Sequence, residues 1–142
     1  MKTPDDIITT ARTLINTPYR HQGRTPGVGL DCIGAIVLTA YLLGLSEEIL
    51  GPTNYSRDSS NSLEIGLATY CSERSRISPG AIALIKLDEI PYHCGIITDY
   101  QGGLGLLHAY ENVGRVREHS LIPWWENKIY KLYHFPKVRY DS

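Results

Sequence analysis

Only three cysteines occur among the 142 residues, at scattered positions and with no CxxC pair. That excludes a disulfide framework and a zinc ribbon. Neither sign of charge is in excess: fourteen Lys and Arg stand against fifteen Asp and Glu. No basic field draws the chain to nucleic acid or an anionic membrane, so a shaped site must choose its partners. No apolar stretch reaches bilayer length, and the longest, Ile33 to Leu45, suits a buried helix rather than membrane insertion. The opening Met1-Lys2-Thr3-Pro4-Asp5-Asp6 has no apolar core of the kind export uses. Synthesis in the cytoplasm with reduced thiols is therefore expected. Neither an internal repeat nor a low-complexity tract divides the chain. One domain over residues 1–142 is expected, large enough to bury about 70% of its unfolded surface.

What is present falls into two halves. Thr3 as N-cap, Pro4 at the first helical position and two acidic residues after it form a helix start. Ile7, Ile8, Ala11, Leu14 and Ile15 follow at helical spacing until Thr17-Pro18 stops the run. Tyr19 to Leu30 holds three glycines and a proline and reads as a loop. Asp31 then caps an apolar helix that ends near Gly44 and Gly51-Pro52, followed by a polar loop over Thr53 to Ser62. A shorter helix is expected from Leu63 to Arg74. Past Ser78-Pro79-Gly80 the pattern changes to strands: Ala81–Lys86, His93–Tyr100, Leu104–Tyr110, Arg115–Glu118 and Lys128–Phe135. Helices first and antiparallel strands second define an α+β domain.

Cys32 falls in the first turn of the apolar helix, where unpaired N–H groups and the helix dipole favour a thiolate. The adjacent Asp31 carboxylate opposes that charge. A thiol nucleophile needs a base, and the base needs a partner that fixes its orientation. His93 and His108 suit those roles if Gln101-Gly102 is a two-residue turn. Gly95 then lies opposite His108 and His93 opposite Tyr110, with the two imidazoles diagonal on one face and their Cβ atoms roughly 7–8 Å apart. A three-residue turn would put them on opposite faces. Helix-start N–H groups could stabilise an oxyanion, and Gly34 would keep that approach uncrowded. Each residue also has a plainer role. Cys32 could be a small core residue, and His93 and His108 ordinary strand histidines. Cys71 and Cys94 read as core, with Cys94 on the face opposite His93. His21, His119 and His134 read as surface or structural. Cys and His show no tight ligand pair, so no metal or other cofactor is expected.

The segments Thr17-Pro18-Tyr19-Arg20-His21-Gln22-Gly23, Gly29-Leu30-Asp31-Cys32-Ile33-Gly34, Pro79-Gly80, His93-Cys94-Gly95-Ile96 and Leu107-His108-Ala109-Tyr110 follow one another in an order and spacing that resembles the NlpC/P60 cysteine peptidases. The likeness is greatest to the short branch associated with phage tails and gene transfer agents, and Gly114 to Glu118 through Pro123-Trp124-Trp125 shares it. The resemblance implies a papain-like α+β domain with N-terminal helices packed on an antiparallel sheet. It implies hydrolysis of peptidoglycan peptide stems, typically beside a D-iso-glutamyl residue. By position Cys32 matches the nucleophile, His93 the general base and His108 the orienting polar residue. Tyr19 matches a tyrosine lining the site, Asp31 an aspartate that can meet the substrate's amino end, and Gln22 a residue of the oxyanion region. Two positions depart from the family: Ile33 stands where Ser is usual, and Ala81 where an acidic residue commonly follows Pro-Gly. With no wall-binding repeat in the chain, targeting is expected from phage tail proteins or another assembly, which would place the protein in a virion acting on the cell wall. The rival expectations are a structural tail-tip component with an unused site, and a thiol acyltransferase or amidase acting on another amide.

Overall fold

The computed structural model describes residues 1–46, 62–89 and 91–140. The first helix, α1 (Pro4–Arg12), starts on a capping box: the Thr3 hydroxyl accepts from the Asp6 N–H while the Asp6 carboxylate accepts from the Thr3 N–H. Its apolar stripe, Ile7, Ile8 and Ala11, is buried. In the next segment two short antiparallel strands, β1 (Arg24–Thr25) and β2 (Gly29–Leu30), give the expected loop a small framework. Helix α2 (Cys32–Leu42) begins at the expected residue and stops three short of Leu45, with Gly44 at φ +75°. Seven of its residues, from Cys32 to Thr39, are buried, because a helix apolar almost all round can only be stable inside.

One expectation fails after the undescribed stretch, which contains the predicted polar loop and Gly51-Pro52. Helix α3 covers only Ser62–Tyr70, and Ser72–Arg74 turns into strand β3. Those three residues are exposed on both faces, so they carry no apolar period, and the ladder they form with strand β8 (Ile129–His134) decides their conformation. The remaining strands are β4 (Ile82–Ile85), β5 (His93–Tyr100), β6 (Gly103–Tyr110) and β7 (Arg115–Ser120), with a one-turn helix α4 (Pro123–Glu126) before β8. They form one antiparallel sheet in the order β3-β8-β4-β5-β6-β7.

Two apolar layers flank this sheet. Helices α1 and α2 lie on β5 and β6, and Ile7, Leu14, Ile36, Cys94, Ile96 and Leu107 belong to that larger core. The opposite face buries Ala83, Ile97, Leu106, Leu132 and Trp125. Alternation along β5 therefore sends Cys94 and Ile96 toward the helices and Ile97 away from them. At the end of α1 the Arg12 guanidinium donates to both Glu118 oxygens, at 2.9 and 2.8 Å, and to the Asp99 carbonyl at 2.6 Å. This fork fastens the helix across β5 and β7. Among the described residues no helix is long and apolar enough to cross a membrane.

Candidate active site

Two tight turns bring the chemistry together. The first is the β5–β6 hairpin. Tyr100 pairs with Gly103 across Gln101-Gly102, whose φ angles are +49° and +83°, as a two-residue hairpin turn requires. The ladder runs back through Ile96 opposite Leu107, so His93 and His108 occupy the diagonal on one face that the sequence implied. Gly95 is where the strands leave least room: a Cβ there would lie 3.0 Å from the His108 Cβ and 2.7 Å from a Leu106 methyl. With no side chain between them, the rings meet, His93 Nε2 lying 2.7 Å from His108 Nδ1.

The second turn is the 20–31 loop, folded against the start of α2. The Asp31 Oδ1 accepts from the Gly34 N–H at 2.8 Å and from Arg24 at 3.1 Å, and Oδ2 accepts from the Gln22 N–H at 2.8 Å. Both Arg24 and Asp31 side chains are almost wholly buried. Gly34 serves this packing rather than an open approach to the sulfur: a Cβ would fall 2.3 Å from the Gly23 carbonyl oxygen. Asp31 takes up the Gly34 N–H, while Cys32 and Ile33 sit in the helical turn whose N–H groups have no intrahelical acceptor.

The Cys32 sulfur sits at the head of α2, 3.9 Å from the Tyr92 carbonyl at the start of β5. There it reaches both sides of the strand. Its thiol is pulled from 9.0 down to about 5, first by the Cys94 S–H donating to it and then by hydrogen bonding and attraction to His93; burial and Asp31 oppose the shift. Cys94 is correspondingly held well above its ordinary range, chiefly by that same contact. Cys94 is core, as its strand parity implied, but its contact with the neighbouring sulfur spans 62 positions and leaves no local pattern.

His108 is 1% exposed and is held well below its usual 6.5, by burial first and then by the charges of His93 and His119. Burial and the two flanking imidazoles thus both favour its neutral form. Sequence reading missed His119. Expected at the surface or in a structural role, it lies 2.8 Å from His108 through both Nε2 atoms. Strand β7 continues two residues past its expected end at Glu118, and the register pairs Leu106 with His119 and His108 with Arg117. That puts His119 on the second diagonal of the same face. Parity counted back from the β6–β7 turn would have located it.

A cavity of about 290 Å³ opens on Cys32 and His93 and is lined also by Tyr19, Asp31, Tyr92 and Trp124. The Tyr19 backbone bonds the Gly114 carbonyl at 2.8 Å and its side chain faces this space. Gln22 is missing from the described lining; at φ +61° its N–H is turned to Asp31, so the structure gives it an anchoring contact. Ile33 contributes an apolar wall where a hydroxyl would otherwise stand. Among the described residues no group of three or more His, Cys, Asp or Glu side chains is placed to hold a metal ion.

The burial of neutral His108 has a measurable cost in acid. Between its depressed folded pKa and 6.5, the unfolded chain binds a proton that the folded chain does not. This contribution is complete above pH 6.5 and is lost as pH falls below it, at up to about 1.4 kcal/mol per unit. Urea titrations at pH 7.5, 6.5 and 5.5 should give wild type a steeper loss than His108→Gln, and equal slopes would contradict the assignment.

Helices laid on a mostly antiparallel sheet give this chain the fold of NlpC/P60 domains. The chain is similar to the NlpC/P60 domain of the peptidoglycan hydrolase SagA, at 16% identity and a TM-score of 0.67 over 94% of this chain and 99% of that one. It is also similar to the P60 domain of a M. avium subspecies paratuberculosis antigen, at 16% identity and 0.59, covering 92% and 93%. An N-acetylmuramoyl-L-alanine amidase from Bacteroides uniformis superposes at 12% identity and 0.60, covering 94% and 99%. No protein-family model and no curated protein sequence matches the chain.

Proposed function

We propose that this protein is a cysteine peptidase that hydrolyses peptide stems of bacterial peptidoglycan, beside a D-iso-glutamyl residue. The observation that carries this reading is the alignment of a buried, acidified thiol at a helix head with a His93–His108 pair, at the floor of an open cavity. The solved structures of the same fold include a peptidoglycan hydrolase and an amidase, which favours a wall amide as substrate.

Because His93 gives Nε2 to His108, its Nδ1 remains for Cys32. The Cys32 proton passes to that nitrogen and the thiolate attacks the scissile carbonyl carbon. The resulting oxyanion is stabilised by first-turn N–H groups and the positive end of the α2 dipole. His93 returns the proton to the leaving amine, giving a thioester. Water then loses a proton to His93, attacks the thioester, and the thiol is released with its proton restored. Asp31, already matched by Arg24 within the fold, serves here chiefly as cap and loop anchor. Tyr19 and Trp124 form side walls for the stem. Delivery by a phage tail or a similar injection device is part of the proposal, on the likeness of Gly114 to Glu118 and Pro123-Trp124-Trp125 to the phage-tail branch.

Mass spectrometry of muropeptides incubated with wild type and with Cys32→Ala tests the reading. A fragment made only by wild type is expected, and its mass names the bond, separating a cut within the stem from removal of the stem at its first amide. Intact muropeptides across several stem chemistries, with folded protein, would overturn it.

A further inference from the structure

We propose that His119 is a positioning residue that fixes the proton arrangement of the whole imidazole row, so that His93 presents a bare Nδ1 to Cys32. This rests on the peptidase reading only for the use to which the bare nitrogen is put.

His119 Nδ1 lies 2.9 Å from the Ser120 carbonyl oxygen. A carbonyl only accepts, so Nδ1 carries the hydrogen and Nε2 of neutral His119 is bare. That Nε2 faces His108 Nε2 at 2.8 Å, and with one nitrogen bare the other must donate. His108 is therefore protonated on Nε2 and bare on Nδ1. The same step repeats at 2.7 Å: His93 Nε2 donates to His108 Nδ1. In neutral His93 this leaves Nδ1 without a hydrogen, on the side of the thiol. One backbone carbonyl thus sets three tautomers in sequence. When His93 takes the thiol proton, its Nε2–H still points at an acceptor, so the imidazolium is stabilised without rearrangement.

The surroundings keep this order intact. Trp125 from α4 lies against all three rings, with centroids 6.0, 4.8 and 5.7 Å from His93, His108 and His119. Tyr110 stacks on His108 at 5.5 Å. Of the charged groups nearby, Arg117 is in register with His108 but exposed, and Glu118 is engaged by Arg12. With Tyr110 and Trp125 against it, the His108 ring is shielded from bulk solvent. The half-buried edge position of His119 lets it be changed without disturbing the core.

The test uses ¹⁵N-histidine NMR of His108 and the pH profile of Cys32 alkylation by iodoacetamide, neither of which needs a peptide substrate. Wild type is expected to show His108 protonated on Nε2 alone. His119→Phe keeps the ring volume but removes the acceptor. It should give mixed His108 tautomers, an alkylation profile displaced by about one unit to higher pH, and about tenfold slower alkylation on the acid limb of that profile. His119→Gln restores an acceptor at the same reach and should return the rate to within about twofold of wild type. A wild-type tautomer and profile in His119→Phe would overturn the proposal, as would a Gln variant as impaired as Phe. If these shifts occur while wild type cuts no muropeptide, the peptidase reading falls and the role of His119 stands. If wild type cuts and His119→Phe cuts with unchanged kcat and KM, the proposal falls alone.

Discussion

On the proposed function, Cys32→Ala is expected to lower turnover of a stem peptide by on the order of 10⁴-fold or more, with the unfolding free energy within roughly 1 kcal/mol of wild type. No other group can replace the sulfur. Cys94 is fully buried and held in its protonated form by the neighbouring thiol. Cys71 lies away from the imidazoles and is pushed up to about 11 by burial. His93→Ala follows with a loss of roughly 10³-fold, within the usual span for a general base. His108→Ala loses roughly 10²-fold, because a group that only orients the base leaves it in place when removed. Steady-state kinetics on one peptide ranks the three. Retained activity in the Cys32 variant removes the nucleophile assignment, and equal losses for the two histidines would show that base and orienting group act as one unit.

Arg24→Met is expected to cost about 3–5 kcal/mol of stability, since it removes the guanidinium from beside the buried Asp31 carboxylate. The Arg24 and Asp31 side chains are 6% and 2% exposed and lie 3.1 Å apart, so water cannot take the place of the guanidinium. The Gly34 and Gln22 N–H groups, which donate to Asp31, are neutral donors and do not replace a guanidinium charge. Adding Asp31→Asn to Arg24→Met should recover more than half of the loss, because an amide oxygen still caps Gly34 and no charge remains inside. Urea unfolding of the two single variants and the double variant measures this. Additive losses would mean that the ion pair is not coupled and that Arg24 acts through packing alone.

Much of this arrangement is legible in the sequence where local chemistry is strong. Asp31 followed by an apolar run marks the head of α2, and Gln101-Gly102 sets the hairpin register from which the His93–His108 diagonal follows. Reading fails where long-range pairing overrides weak local preference. Ser72–Arg74 has nothing to bury, and only its ladder with β8 makes it a strand. Glu118-His119-Ser120 lacks β-branched residues, yet β6 holds it extended as far as Gly105 opposite Ser120. For that reason the sequence pattern ends β7 one residue before His119. Gln22 belongs to a third kind of case: its backbone, at φ +61°, does the bonding, so its side-chain type carried no information about its contact.

The two-residue tip at Gln101-Gly102 also has a meaning in the language of genes. It lies seven residues from His108, roughly 20 Å along an extended strand, and touches none of the chemistry. Yet the side on which His108 emerges is an odd-or-even count measured from that tip. One codon gained there would displace the imidazole pairing, while a single substitution, though strained at Gly102 with its φ of +83°, would leave that count unchanged. At this tip a change of letter is thus a local matter, and a change of length is felt at His108.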